Sequence, residues 1–117
     1  MGWGIKNRLS RIIKSDGHTV MLAVDHGYFL GAVSKLEEPR KTITPLLLYT
    51  DALMLTRGVL RNCVDVTNDI PIVLRVSGGN SIIGKDLSNE GITVSMKDAL
   101  RLNACAVAIS IYVGTDH

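Results

Sequence analysis

An acid, an imidazole and a glycine follow directly on a continuous apolar stretch near the start of the chain. Asp25, His26 and Gly27 come after five apolar residues at 20–24. A carboxylate and an imidazole at one point of the chain can orient a substrate hydroxyl or move a proton. The simpler alternative is a strand-end acid that caps the following turn, beside a partly buried histidine. We interpret the pair as catalytic. We predict no metal site, because adjacent strand residues point to opposite faces and no further ligand cluster lies nearby.

The same change from apolar to polar residues recurs at three later points. Arg57 follows the second apolar stretch and could bind an anionic group. Residues 77–81 (Ser-Gly-Gly-Asn-Ser) follow the third, where backbone N–H groups could hold an anion or simply form a turn. They match neither common nucleotide-binding glycine pattern. Tyr112 closes the fourth stretch and can donate a proton or a hydrogen bond, although core packing is the commoner role of such a tyrosine.

Arg75 and the lysines carry the remaining charge chemistry. Arg75 lies inside the third apolar stretch, and in a closed barrel it could point into the lumen and pair with an acid such as Asp25. A structural ion pair and a direct substrate contact both remain open for it. No lysine stands in an apolar strand, where loss of water would lower the pKa of its amine enough to make a nucleophile at neutral pH. The lysines are Lys6, Lys14, Lys35, Lys41, Lys85 and Lys97.

Strands and helices alternate around these residues. Continuous apolar stretches predict parallel strands that are buried on both faces. These strands cover residues 19–25, 52–56, 71–77 and 105–112. Because function gathers at the carboxyl ends of parallel strands, the polar residues described above would meet at one edge of the sheet. This strand–helix order predicts an α/β fold, either a doubly wound sheet or part of a (β/α)8 barrel.

The predicted helices are amphipathic. Residues 3–13 form the first, with a basic outer face, and Trp3 would pack it onto the body. Residues 27–34 are a predicted loop. Pro39 suits the first turn of a helix over 36–49, whereas Pro45 either splits that segment or begins the real helix. A brief helical or irregular stretch covers 59–66, and a capping box at Ser95 starts a last helix over 95–103.

Composition limits the possible function classes. The 117 residues suit one domain, and 46% are hydrophobic while only 4% are aromatic. The net charge of +2 is spread without a basic stripe, which argues against nucleic acid as a partner. No stretch is long and apolar enough to cross a membrane, and no signal peptide is evident. Two distant cysteines, Cys63 and Cys105, indicate a reducing, cytoplasmic setting.

Several motifs together resemble one family, the DhnA-type class I aldolases, which includes archaeal fructose-bisphosphate aldolases. The motifs span nearly the whole chain and occur in the family's order. They are Asn7-Arg-Leu-Ser-Arg-Ile-Ile, Thr19-Val-Met-Leu-Ala-Val-Asp-His-Gly-Tyr-Phe, Leu55-Thr-Arg-Gly-Val-Leu-Arg, Val73-Leu-Arg-Val-Ser-Gly-Gly-Asn-Ser, Leu87-Ser-Asn-Glu, Asp98-Ala-Leu-Arg-Leu-Asn-Ala-Cys-Ala-Val-Ala and Tyr112-Val-Gly.

The resemblance implies a (β/α)8 TIM barrel, homo-oligomers and Schiff-base chemistry on a phosphorylated keto compound. Within the family, the sequence is most similar to members that process autoinducer-2. Asp25 matches the family's strand-one acid that faces the substrate, and His26 belongs to the same motif. Ser77 and Tyr112 match positions at the mouths of strands three and four. No bound cofactor is implied, although coenzyme A or acetyl-CoA would be the co-substrate of an acyl-transfer reaction.

The sequence departs from the family pattern after its fourth strand. The family's strand-six Schiff-base lysine and phosphate-binding loops have no counterpart, so residues 1–117 are expected to form an N-terminal helix and four β/α units, the N-terminal half of a barrel. Such a chain is expected to be inactive alone, and to associate with itself or with a missing C-terminal half. The alternatives are a non-catalytic remnant or assembly partner, a fructose-bisphosphate aldolase, and a small doubly wound phosphate-binding module using residues 77–81.

Overall fold

The computed structural model describes residues 1–116 as five α-helices, one 3₁₀ helix and six short strands. The helices are α1 (Trp3–Ile12), α2 (Gly27–Leu30), α3 (Pro39–Leu46), the 3₁₀ helix Leu47–Tyr49, α4 (Arg57–Cys63) and α5 (Met96–Arg101). The strands are β1 (Met21–Ala23), β2 (Ala52–Leu55), β3 (Ile72–Arg75), β4 (Ser77–Gly78), β5 (Gly91–Ile92) and β6 (Ala106–Ala108).

Four of these strands form one parallel sheet in the order β1-β2-β3-β6. The order follows the chain, with α3, α4 and α5 in the connections between consecutive strands. Sequential parallel strands with helical connections are the repeating unit of a (β/α)8 barrel. This order confirms the predicted α/β class and favours the barrel over a doubly wound sheet, whose strand order reverses partway.

Alternation along the strands gives the sheet two different faces. Leu53, Leu55 and Leu74 belong to the main core, which lies beneath the connecting helices on what we call the outer face. Ala52 and Val73 point the other way and pack with Ile12 of α1 on the inner face. Because side chains alternate along a strand, polar residues two positions beyond the inner-face residues also project to the inner side.

The helix ends follow the predicted capping chemistry. The Ser95 hydroxyl accepts a hydrogen bond from the Asp98 backbone N–H at 3.1 Å, which starts α5 as expected. Pro39 occupies the first turn of α3. Pro45 lies inside that helix, one residue before its end, and the chain continues as a 3₁₀ turn. Pro45 therefore does not begin the helix, and the segment changes from α-helix to 3₁₀ helix two residues after it.

Burial on both faces was wrong for the first and fourth predicted strands. In β1, Met21 is 38% exposed and Ala23 is also exposed, because β1 lies at one edge of the sheet and its inner face is uncovered there. The predicted strand 105–112 pairs only over Ala106–Ala108. Val107 and Ile109 are 42% and 52% exposed, since no described helix covers the outer face of β6.

Two further expectations need correction. Trp3 does not pack α1 onto the body, since it is 79% exposed, and Ile12 carries that contact instead. The predicted loop at 27–34 begins with one helical turn, α2. Between β3 and α5 the chain forms the antiparallel pair β4–β5, which no periodicity in the sequence predicts. Within residues 1–116, no helix combines the length and apolar character that a bilayer span requires.

Candidate functional site

A buried ion pair joins the ends of two strands on the inner face. Arg75, the last residue of β3, donates a hydrogen bond from Nη1 to Oδ2 of Asp25 at 3.1 Å. The Asp25 and Arg75 side chains are only 9% and 12% exposed. The guanidinium group of Arg75 lies over the Tyr28 ring in a cation–π contact, with its central carbon 4.6 Å from the ring centroid. Of the two roles that the sequence left open for Arg75, the structure shows the ion pair with Asp25.

Glu90 supplies a second carboxylate to the same arginine. Its side chain is 3% exposed, and Arg75 Nη2 donates to its Oε2 at 3.1 Å. The hydroxyls of Tyr28 and Tyr112 donate to Oε1, the latter at 2.9 Å, and the Ser77 hydroxyl donates to Oε2 at 2.9 Å. Both carboxylate oxygens of Glu90 are thus fully used by partners from the chain itself.

Local electrostatics separate the protonation states of Glu90 and Tyr28. Burial by itself would raise the pKa of Glu90, but hydrogen bonds from Tyr28, Ser77 and Tyr112 and the charge of Arg75 outweigh it and lower this pKa to about 2. Burial, followed by the hydrogen bond to Glu90, raises the pKa of Tyr28 to about 12. At neutral pH the site therefore holds an ionised Glu90 beside a protonated Tyr28.

Two serines tie the cluster to the sheet. The Ser77 hydroxyl accepts from the backbone N–H of Ser110 at 3.0 Å, and Arg75 Nε donates to the Ser77 carbonyl at 3.1 Å. Arg75 Nη2 also donates to the Ser110 hydroxyl. Since Ser110 lies two residues beyond β6, these bonds hold the ends of β3 and β6 together and fix the arginine in one orientation.

Two acceptor atoms of the cluster remain open. Within the described part of the chain, Asp25 Oδ1 accepts no hydrogen bond, and the Tyr112 hydroxyl has Glu90 as its single partner. The Tyr28 hydroxyl, by contrast, donates to Glu90 and accepts from Arg75 Nη2 at 2.6 Å. The site therefore offers a carboxylate oxygen and a phenol oxygen to a donor group of a ligand.

Two of the predicted site residues lie outside this cluster. No hydrogen bond or ion pair among residues 1–116 joins the half-buried His26 side chain to Asp25, and the His26 carbonyl serves only to begin α2. Arg57 pairs with Asp98 at 3.5 Å, with its side chain 37% exposed. Arg57 does reach the cluster's edge, where it lines a cavity of about 270 Å³ together with Arg75 and Ser77.

The glycine-rich residues 77–81 begin the antiparallel β4–β5 pair. The Tyr28 ring lies against Gly78, where an added Cβ would be 3.4 Å from Cδ2 of the ring. Gly79 has a φ of 113°, a conformation that other residues rarely adopt. Residues 77–78 form β4 and residues 79–81 form no regular turn, and anion binding by the N–H groups of this segment stays a prediction.

Sequence reasoning missed Glu90, Tyr28 and Ser110 as members of the site. Glu90 reaches the cluster only because β5 pairs with β4, and neither two-residue strand has a recognisable pattern. Two signals for Glu90 were available, its place at the end of the family motif Leu87-Ser-Asn-Glu and its position just before the alternating segment Gly91-Ile-Thr-Val94. Among residues 1–116, no group of three His, Cys, Asp or Glu side chains is arranged to hold a metal ion.

Comparison with known protein families shows which family this chain belongs to. Residues 19–117 match the DeoC/LacD family of aldolases, which is most of the chain. The chain belongs to the DeoC/LacD aldolase family. This assignment agrees with the class I aldolase resemblance found in the sequence, and it places the strand-end cluster in a family of aldolases.

Two curated relatives of this DeoC/LacD family chain carry the same name. This chain is 52% identical over 118 residues to the 3-hydroxy-5-phosphonooxypentane-2,4-dione thiolase of Yersinia enterocolitica, and the alignment covers 100% of this chain and 40% of the relative. It is equally 52% identical over 117 residues to the enzyme of that name from an Enterobacter species, covering 39% of it. The chain thus spans about 40% of the length of these curated relatives.

Solved structures of archaeal aldolases share the fold of this family member. A fructose 1,6-bisphosphate aldolase aligns with a TM-score of 0.66 at 21% identity, over 88% of this chain and 42% of that one. A second, with its catalytic lysine bound to the carbinolamine intermediate of the substrate, aligns with a TM-score of 0.71 at 23% identity over the same shares. The parallel sheet thus corresponds to part of a TIM barrel.

Proposed function

We propose that this chain supplies the N-terminal half of a class I aldolase or thiolase that acts on a phosphorylated keto compound, in the processing of phosphorylated autoinducer-2. Residues 1–117 would form an N-terminal helix and four β/α units of a (β/α)8 barrel. The observation that carries this proposal is the 52% identity to thiolases along the full chain. The buried cluster at the strand ends supports it, since barrel enzymes build their sites at that edge.

Each predicted site residue has a proposed role. Asp25 is the catalytic acid or base, because its Oδ1 accepts no hydrogen bond from the described residues while Oδ2 is held by Arg75. Tyr112 and Ser77 bind substrate at the mouths of β6 and β3. Arg57 binds an anionic group from the edge of the cavity that it lines. His26 is assigned to the same catalytic motif on sequence alone, and its position outside the hydrogen-bonded cluster makes it the weakest of the five.

The chain alone is proposed to be inactive. A Schiff base forms on an amine whose pKa has been lowered by loss of water, and all six lysines of this chain are exposed. The relative captured as a carbinolamine holds its intermediate on a lysine. Such a lysine would come from a further half-barrel, either a separate chain or a longer form of this one, and the acyl acceptor of a thiolase reaction would be coenzyme A.

Two alternatives fit some of the same observations. A class I fructose-bisphosphate aldolase is favoured by the solved structures that share the fold. A non-catalytic assembly partner is favoured by the uncovered outer face of β6, where Val107 and Ile109 are exposed. A homo-oligomer that closes a barrel from two half-barrels would meet the same need.

A chimera tests the proposed function directly. This chain would replace the matching segment of the Yersinia enterocolitica thiolase, and consumption of 3-hydroxy-5-phosphonooxypentane-2,4-dione with coenzyme A would be measured. We expect turnover, and its loss in Asp25→Asn, with an exposed-acid variant, Asp16→Asn, as the matched control. Turnover of fructose 1,6-bisphosphate instead would favour the first alternative. A folded chimera without either activity would contradict the proposal.

A further inference from the structure

Four elements converge on Glu90, yet none of its atoms remains free for a ligand. It accepts hydrogen bonds from Tyr28 at the start of α2, Arg75 at the end of β3, Ser77 in β4 and Tyr112 beyond β6. A carboxylate saturated in this way cannot also serve a substrate. Its effect must therefore be exerted through the groups that it holds.

The four donors differ in what they can still do. Each guanidinium nitrogen of Arg75 already has a partner: Nη1 donates to Asp25, Nε to the Ser77 carbonyl, and Nη2 to Tyr28, Ser110 and Glu90. The Ser77 hydroxyl donates to Glu90 and accepts from the Ser110 backbone N–H. The Tyr28 hydroxyl has both a donor and an acceptor partner. Tyr112 alone combines a single partner with an oxygen that can accept another hydrogen bond. A phenol has one proton, and that of Tyr112 is committed to Glu90.

We infer that Glu90 is a positioning residue that holds the Tyr112 hydroxyl in place by accepting the hydrogen bond from its only proton, so that Tyr112 faces the substrate as a hydrogen-bond acceptor. This inference rests on the proposed function for its substrate, a hydroxyl-bearing keto compound. A substrate hydroxyl would donate to Tyr112. A carbonyl or phosphate oxygen would find no proton there while Glu90 is ionised.

The charge state of Glu90 supports this direction of the bond. Its pKa of about 2 keeps the carboxylate ionised throughout the physiological range, so it acts as an acceptor only. The two negative charges of Asp25 and Glu90 exceed the single positive charge of Arg75. The cluster is therefore suited to donor groups of a ligand rather than to its anionic end.

Fluorine NMR on the full 117-residue chain tests the placement without any need for activity. The chain has three tyrosines, so 3-fluorotyrosine labelling gives three resonances, assigned with Tyr→Phe variants. In Glu90→Gln we expect the Tyr112 resonance to move toward that of free fluorotyrosine. The matched control Glu37→Gln, which removes an exposed acid, should leave it unchanged. If Glu90→Gln does not fold, Glu90→Asp, which keeps the charge on a shorter side chain, should give the same displacement.

Kinetics of the chimera test whether Glu90 acts through Tyr112. We expect Glu90→Gln to lower kcat by about 100-fold, the cost of a misplaced group, with KM changed less than about twofold. The double variant with Tyr112→Phe should be no slower than Tyr112→Phe alone. If the kcat losses of Glu90→Gln and Tyr112→Phe multiply in the double variant, the inference is wrong. It is also wrong if the Tyr112 resonance does not move in Glu90→Gln. An inactive chimera would refute the proposed function, while the fluorine spectra would still decide the role of Glu90.

Discussion

Arg75 donates a hydrogen bond to Asp25 at 3.1 Å even though β2 lies between the strands that carry them. The arginine reaches across the end of the middle strand on the inner face and binds Glu90 with its other nitrogen at 3.1 Å. One cation thus holds two buried carboxylates from distant parts of the chain. The open oxygen of Asp25 owes its position to this bridge.

Removal of the arginine should therefore destabilise the fold. Arg75→Met would leave Asp25 and Glu90 buried without their cation, which costs about 3–5 kcal/mol when one partner of a buried pair is lost. Urea unfolding would measure the change. Arg101→Met is the matched control, because the Arg101 side chain is 74% exposed and its pair with Asp98 should contribute less than about 1 kcal/mol. Similar losses in both variants would contradict this account.

Acid should weaken the fold through Glu90. Its pKa is about 2 in the folded protein against an ordinary value of 4.5, so the unfolded chain binds more protons between these pH values. The free energy of unfolding should accordingly fall as the pH drops from 4.5 toward 2, and the contribution is fully present above 4.5. Urea unfolding at several pH values would show a shallower dependence in Glu90→Gln than in the unmodified chain. Glu37→Gln should retain the original slope; a slope unchanged by Glu90→Gln would argue against the bonding at this carboxylate.

Two glycines should respond oppositely to alanine. Gly79 has a φ of 113°, so Gly79→Ala should lower the free energy of unfolding by about 1–3 kcal/mol. Gly58 lies inside α4 with no atom within 4 Å of an added Cβ, so Gly58→Ala should raise it by about 0.5–1 kcal/mol. Thermal and urea unfolding check both values. Stabilisation by Gly79→Ala would mean that the backbone immediately after β4 has a different conformation.

The uncovered face of β6 should drive association of the isolated chain. Val107→Lys and Ile109→Lys place charges beside an open strand edge, which opposes strand pairing between molecules. We expect both variants to reduce the apparent mass in light scattering relative to the unmodified chain. Val66→Lys is the control, since Val66 is 98% exposed but lies in the loop after α4. An equal effect of Val66→Lys would assign the association to general hydrophobicity.

Much of the fold follows from local patterns in the sequence. Apolar stretches ending in polar residues predicted the four parallel strands. The position of Arg75 inside a strand suggested an ion pair with an acid such as Asp25 as one of two possible roles, and the structure shows that pair. The exposure of Met21 and Val107 could not be predicted, because the sequence of a strand does not show which other elements will pack on its faces. Glu90 was missed for a related reason: its place depends on the pairing of Gly78 with Gly91, a contact between distant residues.

Borohydride trapping with a phosphorylated ketose tests the central claim, that this chain supplies the strand-end cluster but not the Schiff-base amine. Intact mass would be read for the 117-residue chain alone and for the thiolase chimera. We predict no adduct on the chain alone, and a single adduct in the chimera on a lysine outside residues 1–117. An adduct on any of the chain's own six lysines would contradict the claim.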